Sequence, residues 1–269
     1  MIISTANINK TVAILKKLCS KKIPDAYIIT GSGQKNISSK FKEIFTISLS
    51  KLPGFAKPSV KGHASELKLC QYKQKCFFVQ SGRSHLYENN SFEDILFPIE
   101  IIKKLGLKKL LLLNAAGAVN KKLRTGDIVI IKDHINLMLR NPLFANKKID
   151  QKNRFLSMRP CYDQSFIKYI QREKKGKTSW KTGVYAGVIG PVYETRSELN
   201  MLDGMGADVV GMSTVQEAIY AKYLGIEVSA ASMITNDRSN AANHNEVIKA
   251  SIMGERQLIE VIKKYIMFI

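Results

Sequence analysis

The chain has 269 residues, of which 45% are hydrophobic and 24% are charged, with 42 Lys and Arg against 22 Asp and Glu. This composition is that of an ordinary globular protein whose length is sufficient to bury a substantial core. No apolar run approaches the roughly 18 residues that a membrane span requires, so we expect a soluble, cytoplasmic protein.

The predicted elements alternate along the chain between short apolar strands and amphipathic helices. The predicted strands are 26–30, 76–80, 110–114, 128–132, 184–189, 208–212 and 228–235. The predicted helices are 11–19, 92–104, 164–174, 196–205, 215–224 and 246–266. This alternation predicts an α/β fold with a central mixed, twisted β-sheet flanked by helices. No linker, repeat or low-complexity segment interrupts the sequence, so we assign residues 1–269 to a single domain.

The ends of the predicted helices carry their own signals. Three helices are followed by glycine shortly before a strand, at Gly106, Gly206 and Gly225, where a left-handed C-terminal cap belongs. Two helices begin with a Thr-x-x-Glu pattern, at Thr195 and Thr214, which is typical of a capping box.

Cysteine usage and net charge restrict the classes of partner. Cys19, Cys70, Cys76 and Cys161 show no paired spacing, so we expect reduced, buried thiols and no metal site. The formal net charge of +20 is typical of nucleic-acid or membrane-surface binding as well as of a basic solvated surface. Because the lysines are scattered and no aromatic platform is interleaved with them, we favour the solvated surface.

Small and polar residues follow the predicted strands. They occur in segments 31–33, 81–85, 114–117, 190–194, 211–213 and 235–236. Because ligands of open α/β sheets bind at the carboxyl ends of strands, these segments together predict one pocket, although each alone is a weak signal.

The residue types in these segments suggest an anion site. Arg83 and His85 lie two residues apart, which places both on the same side of an extended segment, and this pair suits a phosphate. Ser213 precedes a helix, whose N-terminus also favours an anion. The Gly31-Ser32-Gly33 segment offers backbone N–H groups, but taken alone it is more typical of a plain turn.

Other residues of the pocket suit a ring. Tyr193, Met212 and Phe155 provide flat or soft apolar surface, and Glu194 and Asn236 provide hydrogen-bonding groups for a ring edge. Taken singly, Met212 and Phe155 are more typical of a core, and Glu194 of a first-turn acid. Their shared location at strand ends favours a ligand site.

Several ordered motifs give the sequence a family resemblance over residues 27–263. They are the segments 82–88 (GRSHLYE), 114–117 (NAAG), 126–137 (GDIVIIKDHINL), 190–195 (GPVYET), 206–215 (GADVVGMSTV) and 234–236 (ITN). With these motifs the chain resembles the low-molecular-mass, usually homotrimeric, purine nucleoside phosphorylases. The resemblance implies a nucleoside phosphorylase type of α/β fold, and the segment between Asn236 and His244 is shorter than in that family.

The resemblance also implies a role for individual residues. The phosphate-binding set is Ser32, His63, Arg83, His85, Ala115 and Ser213. The ribose-binding set is Tyr87, Met212, His244 and, from a neighbouring subunit, Phe155. The base-binding set is Ala115, Ala116, Tyr193, Glu194 and Asn236. The catalytic residues implied are His85, Glu194 and Asn236.

The family's reaction implies that phosphate attacks the anomeric carbon and displaces the purine with inversion. Asn236 would stabilise negative charge at N7 of the leaving base, and Glu194 would hold N1–H. We therefore expect a homotrimeric purine-salvage transferase acting on inosine, guanosine and their deoxy forms. We expect no metal and no organic cofactor, since phosphate is a co-substrate.

Two alternatives remain open at this point. One is a methylthioadenosine phosphorylase, or another nucleoside phosphorylase of the same fold. The other is a catalytically weak relative that binds nucleic acid or anions, for which the net charge of +20 is the motive. The joint presence of Arg83, His85, Glu194 and Asn236 argues against the second, because simple charge binding does not require them together.

Overall fold

The computed structural model describes residues 3–20, 24–31, 33–34, 36–56, 65–88, 90–144, 155–173, 180–238 and 244–269. The strands are β1 Ala26–Ile29, β2 Lys42–Ser48, β3 Glu66–Tyr72, β4 Lys75–Ser81, β5 Lys109–Ala118, β6 Ile128–Asn136, β7 Lys181–Gly187, β8 Val209–Gly211 and β9 Glu227–Asn236. The helices are α1 Thr5–Leu18, α2 Phe92–Lys104, α3 Gln164–Arg172, α4 Arg196–Gly204, α5 Val215–Tyr223, α6 His244–Met253 and α7 Glu255–Phe268.

The strands of the described residues form one mixed sheet in the order β2-β3-β4-β1-β5-β8-β7-β6-β9. Strands β4, β1, β5 and β9 pair in parallel through β4–β1, β1–β5 and β5–β9, whereas β2, β3 and β4 form an antiparallel meander. The central strands are buried on both faces, which explains why Leu110–Leu113 of β5 is an unbroken apolar run with 0% exposure.

One part of the sheet closes on itself. Because β9 pairs with both β6 and β5, the strands β5, β8, β7, β6 and β9 form a ring. The antiparallel pairings β5–β8 and β6–β9 close this ring, and they bring the ends of β5, β8 and β9 together. The closed part of the sheet therefore concentrates several chain segments around one opening.

Helices cover the sheet and end as the sequence indicates. Helix α2 packs against α1 and α5, and α6 packs on β9. Gly106, Gly206 and Gly225 have φ values of 82°, 86° and 71°, which confirms the left-handed positions after α2, α4 and α5. No helix within the described residues is both long enough and apolar enough to cross a membrane.

The predicted fold class is confirmed, while some element predictions were wrong. Strands β2 and β3 were not predicted, and α1 begins at Thr5 rather than residue 11. The predicted helix 246–266 is two helices that meet at Gly254, a position where a Cβ would overlap the sulfur of the buried Met233 in β9. The predicted strand 184–189 corresponds to β7, which runs from Lys181 to Gly187 and so ends two residues earlier than predicted. The four cysteines are free and buried, as predicted.

Candidate active site

A cleft opens at the carboxyl ends of the strands, and its empty space, including the mouth, is about 670 Å³. Its lining consists of Gly31, Arg83, His85, Tyr87, Asn114, Ala115, Ala116, Gly117, Tyr193, Glu194, Val210, Gly211, Met212, Ser213, Thr235, Asn236 and Val247. Apart from Val247 of α6, these residues lie in the middle or at the carboxyl end of a strand, or in the segment that follows one.

Arg83 lies at the closed end of this cleft. Its side chain is 3% exposed. One terminal nitrogen donates to the hydroxyls of Ser213 and Thr214, each at 3.1 Å. The other donates to the main-chain carbonyls of Ile29 at 3.2 Å, at the end of β1, and of Leu113 at 2.5 Å, within β5. The guanidinium is therefore fixed by β1 and β5 before any anion binds.

The turn between β8 and α5 presents hydroxyl groups beside Arg83. Thr214 has a φ of 71°, a conformation that β-branched residues rarely adopt. Its backbone N–H donates to the Glu217 carboxylate at 2.6 Å, and its hydroxyl accepts from the Asn114 amide at 2.9 Å. The backbone N–H of Ser213 donates to the Tyr185 hydroxyl at 3.3 Å. These bonds hold the Ser213 hydroxyl at the start of α5.

His85 has a carboxylate partner and a ring partner. Its Nδ1 lies 2.6 Å from Oε1 of Glu88, and its ring stacks on Tyr87 with 4.8 Å between centroids. The amide of Asn90 donates to the His85 carbonyl at 3.2 Å. Burial raises the pKa of Tyr87 to about 12, so its phenol is a neutral hydrogen-bond donor near neutral pH.

At the other end of the cleft, Tyr193 and Glu194 face the space from the segment after β7. Burial, with the nearby negative charge of Glu198, raises the pKa of Glu194 above its ordinary value. Burial, with the neighbouring Glu194 carboxylate, also raises the pKa of Tyr193. Met212 lines the same cleft and supplies an apolar surface between the two ends.

Asn236 ends β9 with its side-chain amide against β5. The Thr235 hydroxyl donates to the Asn236 carbonyl oxygen at 3.1 Å, which directs the amide nitrogen away from Thr235. A Cβ on Gly117 would lie 3.0 Å from that nitrogen. Glycine at 117 therefore leaves room for the amide, and the Asn236 N–H groups are available to a ligand.

The structure brings most of the predicted site residues together and places one elsewhere. The cleft contains Arg83, His85, Tyr87, Ala115, Ala116, Tyr193, Glu194, Met212, Ser213 and Asn236. Phe155 is 95% exposed and does not line the cleft. Ser32 and His63 lie outside the described residues. His244 begins α6, but its side chain lies outside the description, whereas Val247 of the same helix lines the cleft.

Some residues of the site were missed by the sequence analysis. They are Glu88, Tyr185 and, beyond its role in a capping box, Glu217. Glu88 follows His85 by three residues and was inside a quoted motif, so its spacing was an available signal. The contact between Arg83 and Glu217 joins distant parts of the chain, and no local pattern indicates it.

Family comparison agrees with the fold and the cleft. Residues 26–267 match the model of the phosphorylase superfamily. The fold and site therefore define the chain as a member of this superfamily of enzymes.

Relatives in sequence indicate which family within this superfamily the chain belongs to. Purine nucleoside phosphorylase 1 of Bacillus subtilis is 34% identical over 245 residues, covering 89% of this chain and 90% of that protein. The purine nucleoside phosphorylase of Mus musculus is also 34% identical, over 84% of this chain and 83% of that protein. The chain belongs to the purine nucleoside phosphorylase family.

Solved structures share the fold over nearly the full length. The Schistosoma mansoni purine nucleoside phosphorylase in complex with inosine is 33% identical, has a TM-score of 0.88, and is matched over 99% of this chain and 97% of that chain. The same enzyme in complex with adenosine also has a TM-score of 0.88. Isoform 2 from that organism, in complex with cytosine and ribose-1-phosphate, is 34% identical with a TM-score of 0.87.

Proposed function

We propose that the enzyme uses inorganic phosphate to cleave 6-oxopurine nucleosides, releasing the free base and ribose 1-phosphate. The observation that carries this proposal is the polarity of the cleft, with Arg83 and Ser213 at one end and Glu194 and Asn236 at the other. Such an arrangement accommodates an anion and a polar ring with an apolar sugar face between them. Phosphate is a co-substrate, and we propose no metal or organic cofactor.

The anion end supports phosphate binding. Ser213, Arg83 and His85 offer hydroxyl, guanidinium and imidazole donors. In the reaction a phosphate oxygen forms a bond to C1′ while the C1′–N9 bond breaks, and its electron pair leaves with the base. Ala115 lines the cleft, and Ala115, Ser32 and His63 remain phosphate-binding predictions from the family resemblance.

The ring end supports binding of a 6-oxopurine. We assign the Asn236 amide to donate to N7, where negative charge develops as the base leaves, and the Glu194 carboxylate to accept N1–H. Donors placed for developing charge stabilise the transition state more than the substrate. Tyr193 and Ala116 flank the base, and Tyr87, Met212 and His244 contact the ribose in this proposal.

We propose a homotrimer, a single domain and a cytoplasmic location. Phe155 is 95% exposed and lies outside the cleft of its own chain, which is compatible with the role in a neighbouring subunit that the family resemblance implies. A continuous core running from Ile3 to Ile269 supports the single domain. We propose no nucleic-acid partner, and interpret the +20 charge as a solvated surface.

A phosphate-dependent substrate panel tests this function. Purified protein is incubated with inosine, guanosine, adenosine or methylthioadenosine, with and without phosphate, and release of free base is followed. We expect release from inosine and guanosine only when phosphate is present. Release mainly from the 6-amino substrates would contradict the specificity but retain the reaction, an alternative motivated by the adenosine complex of the Schistosoma mansoni enzyme.

One substitution tests the proposed hydrogen bond between Asn236 and the purine base directly. In N236D a carboxylate replaces the amide donor, so it repels charge at N7 and accepts from a 6-amino group. We expect kcat/KM for inosine to fall by about tenfold or more, and the adenosine-to-inosine ratio to rise. An unchanged ratio would show that Asn236 does not contact the base edge.

A further inference from the structure

Two opposite charges are buried together behind the anion end of the cleft. The Arg83 nitrogen Nη1 and the Glu217 oxygen Oε1 are 3.5 Å apart, and the two side chains are 3% and 4% exposed. Arg83 lines the cleft, whereas Glu217 is in the first turn of α5 behind it. The guanidinium that faces an incoming anion therefore already has a carboxylate on its far side.

Glu217 uses its two carboxylate oxygens differently. Oε2 accepts the backbone N–H of Thr214 at 2.6 Å, which holds that residue at its φ of 71°. Oε1 is the oxygen that faces Arg83. The first contact is a helix cap that an amide oxygen can also make, but the second depends on charge.

Arg83 does not need Glu217 for its position. Its nitrogens donate to two hydroxyls and two main-chain carbonyls, from Ser213, Thr214, Ile29 and Leu113. These acceptors belong to three separate parts of the sheet, so they fix the plane of the guanidinium. What Glu217 adds to this arrangement is a negative charge.

Other groups near the anion end do not supply the negative charge that Glu217 places beside Arg83. Tyr87 and Tyr185 are neutral near pH 7, because burial raises the pKa of each to about 12. His85 lies 2.6 Å from its own carboxylate partner, Glu88. The Arg83–Glu217 pair therefore sets how strongly this end of the cleft attracts an anion.

We propose that Glu217 is an internal counter-charge that weakens binding of phosphate and ribose 1-phosphate at Arg83. This inference rests on the proposed function, because it requires the anion end to bind phosphate. A site with an uncompensated buried arginine would hold both anions more tightly and would release the product more slowly. Glu217 thus keeps phosphate affinity low enough for turnover, without touching the phosphate itself.

The test is Glu217→Gln, which retains an oxygen for the Thr214 N–H and removes the charge. Glu198→Gln is the matched control, because Glu198 accepts the Thr195 N–H at 2.6 Å in the capping box of α4. Inorganic phosphate is titrated calorimetrically into each protein, and KM for phosphate and inosine and inhibition by ribose 1-phosphate are measured. The titrations are done at pH 8, with folding checked by circular dichroism.

We expect E217Q to bind phosphate about tenfold more tightly, because the repulsion between the Glu217 carboxylate and the bound anion is lost while Arg83 keeps its other contacts; a tenfold change in affinity corresponds to about 1.4 kcal/mol. KM for phosphate and the inhibition constant for ribose 1-phosphate should fall in parallel, and KM for inosine should stay within about twofold. E198Q should leave the phosphate affinity unchanged. A residue with only a structural role would weaken phosphate binding when replaced, so the direction of the change is diagnostic.

Phosphate binding by E217Q that is unchanged or weaker than in the wild type would overturn the proposal. If E217Q does not fold, T214G/E217Q is compared with T214G, because glycine adopts a positive φ without the carboxylate. The same tightening is expected in that pair, and its absence would again overturn the counter-charge. Failure of the wild-type protein to bind phosphate or release base would instead refute the proposed function.

Discussion

At the scale of single residues, the carboxylates of the site differ in their electrostatic surroundings because their neighbours differ. Glu217 and Glu88 each face a cationic or titratable partner, Arg83 and His85 respectively. Glu194 is instead half-buried, with another acid, Glu198, close enough to raise its pKa. A carboxylate of this kind is poised to accept a proton, which makes the ring end of the cleft sensitive to pH.

The raised pKa of Glu194 predicts an acidic limit to activity. In the proposed complex Glu194 accepts N1–H of the base, which requires the ionised carboxylate, so kcat/KM for inosine should be retained above its pKa and lost as the pH falls through it. Because the pKa is raised, this loss occurs at a higher pH than an ordinary glutamate would give. E194Q, which cannot ionise, should lose about 100-fold in kcat/KM at neutral pH and should lack this acidic limb.

The cause of the shift can be tested separately. E198Q removes the negative charge that raises the pKa of Glu194, so the acidic limb for inosine should move to lower pH. E227Q, at the opposite end of β9 from Asn236, is the matched control and should leave the limb in place. An acidic limb that stays the same in E198Q would assign the shift to burial alone.

The cleft residues that could be predicted from the sequence are those that lie at or shortly after the end of a strand. Arg83, Glu194 and Asn236 lie just after or at the ends of β4, β7 and β9, so the strand-end rule located them. The acid facing Arg83 was not predicted, because Glu217 is also a normal first-turn residue of α5. Its effect on the site depends on the sheet order that brings α5 to the end of β4.

At the scale of whole elements, strand β2 shows why hydrophobic periodicity in the sequence does not predict every strand. Strand β2 is an exposed edge with a lysine and a glutamate at its start, and it pairs only through β3 among the described strands. Its residues contain no buried face that alternation could reveal. Buried central strands such as β5 were predicted because their apolar runs are continuous.

Helix α4 and strand β9 are joined by one side chain near the ring end. Arg238, two residues after β9, donates to Asp203 at 2.9 Å and to Asn200 at 2.5 Å, both in α4. It also donates to the Val119 carbonyl at 3.1 Å. Since Glu194 lies just before α4 and Asn236 ends β9, this contact holds the two proposed base-binding residues in register.

Replacing this contact should weaken the base site selectively. In R238A the link between α4 and β9 is lost, so we expect KM for inosine to rise about fivefold while KM for phosphate is unchanged. Steady-state kinetics with each substrate varied in turn measures both. R124A is the control, because the Arg124 side chain donates to the nearby turn carbonyls of Lys121 and Leu123. Equal changes in both KM values would indicate general disruption instead.

At the scale of the whole molecule, the closed part of the sheet brings together, within one chain, the end of the cleft proposed to bind the anion and the end proposed to bind the base. The ring joins β5, β8 and β9, which carry Ala115, Met212 and Asn236 at or beside their ends. Phe155 is outside this ring and 95% exposed. If the family's trimer forms, as proposed, each cleft combines polar residues of its own chain with an aromatic side chain from its neighbour.

Intersubunit complementation tests this arrangement. F155A should impair the neighbouring subunit's cleft, and E194Q should impair its own, so homogeneous trimers of either variant should have low activity. A mixed trimer contains clefts with an intact Glu194 from an F155A chain and an intact Phe155 from an E194Q chain. With random mixing at equal amounts, about a quarter of the clefts regain both residues in a closed cyclic oligomer.

Co-expression of differently tagged chains, followed by tandem affinity purification, isolates the mixed trimers for assay with inosine and phosphate. Activity well above that of either homogeneous variant would support a Phe155 donated between subunits, because no single chain in the mixture carries both residues. Mixing the separately purified proteins without subunit exchange is the control and should give no recovery. If mixed trimers form but remain as inactive as their parents, Phe155 acts within its own subunit or not at all.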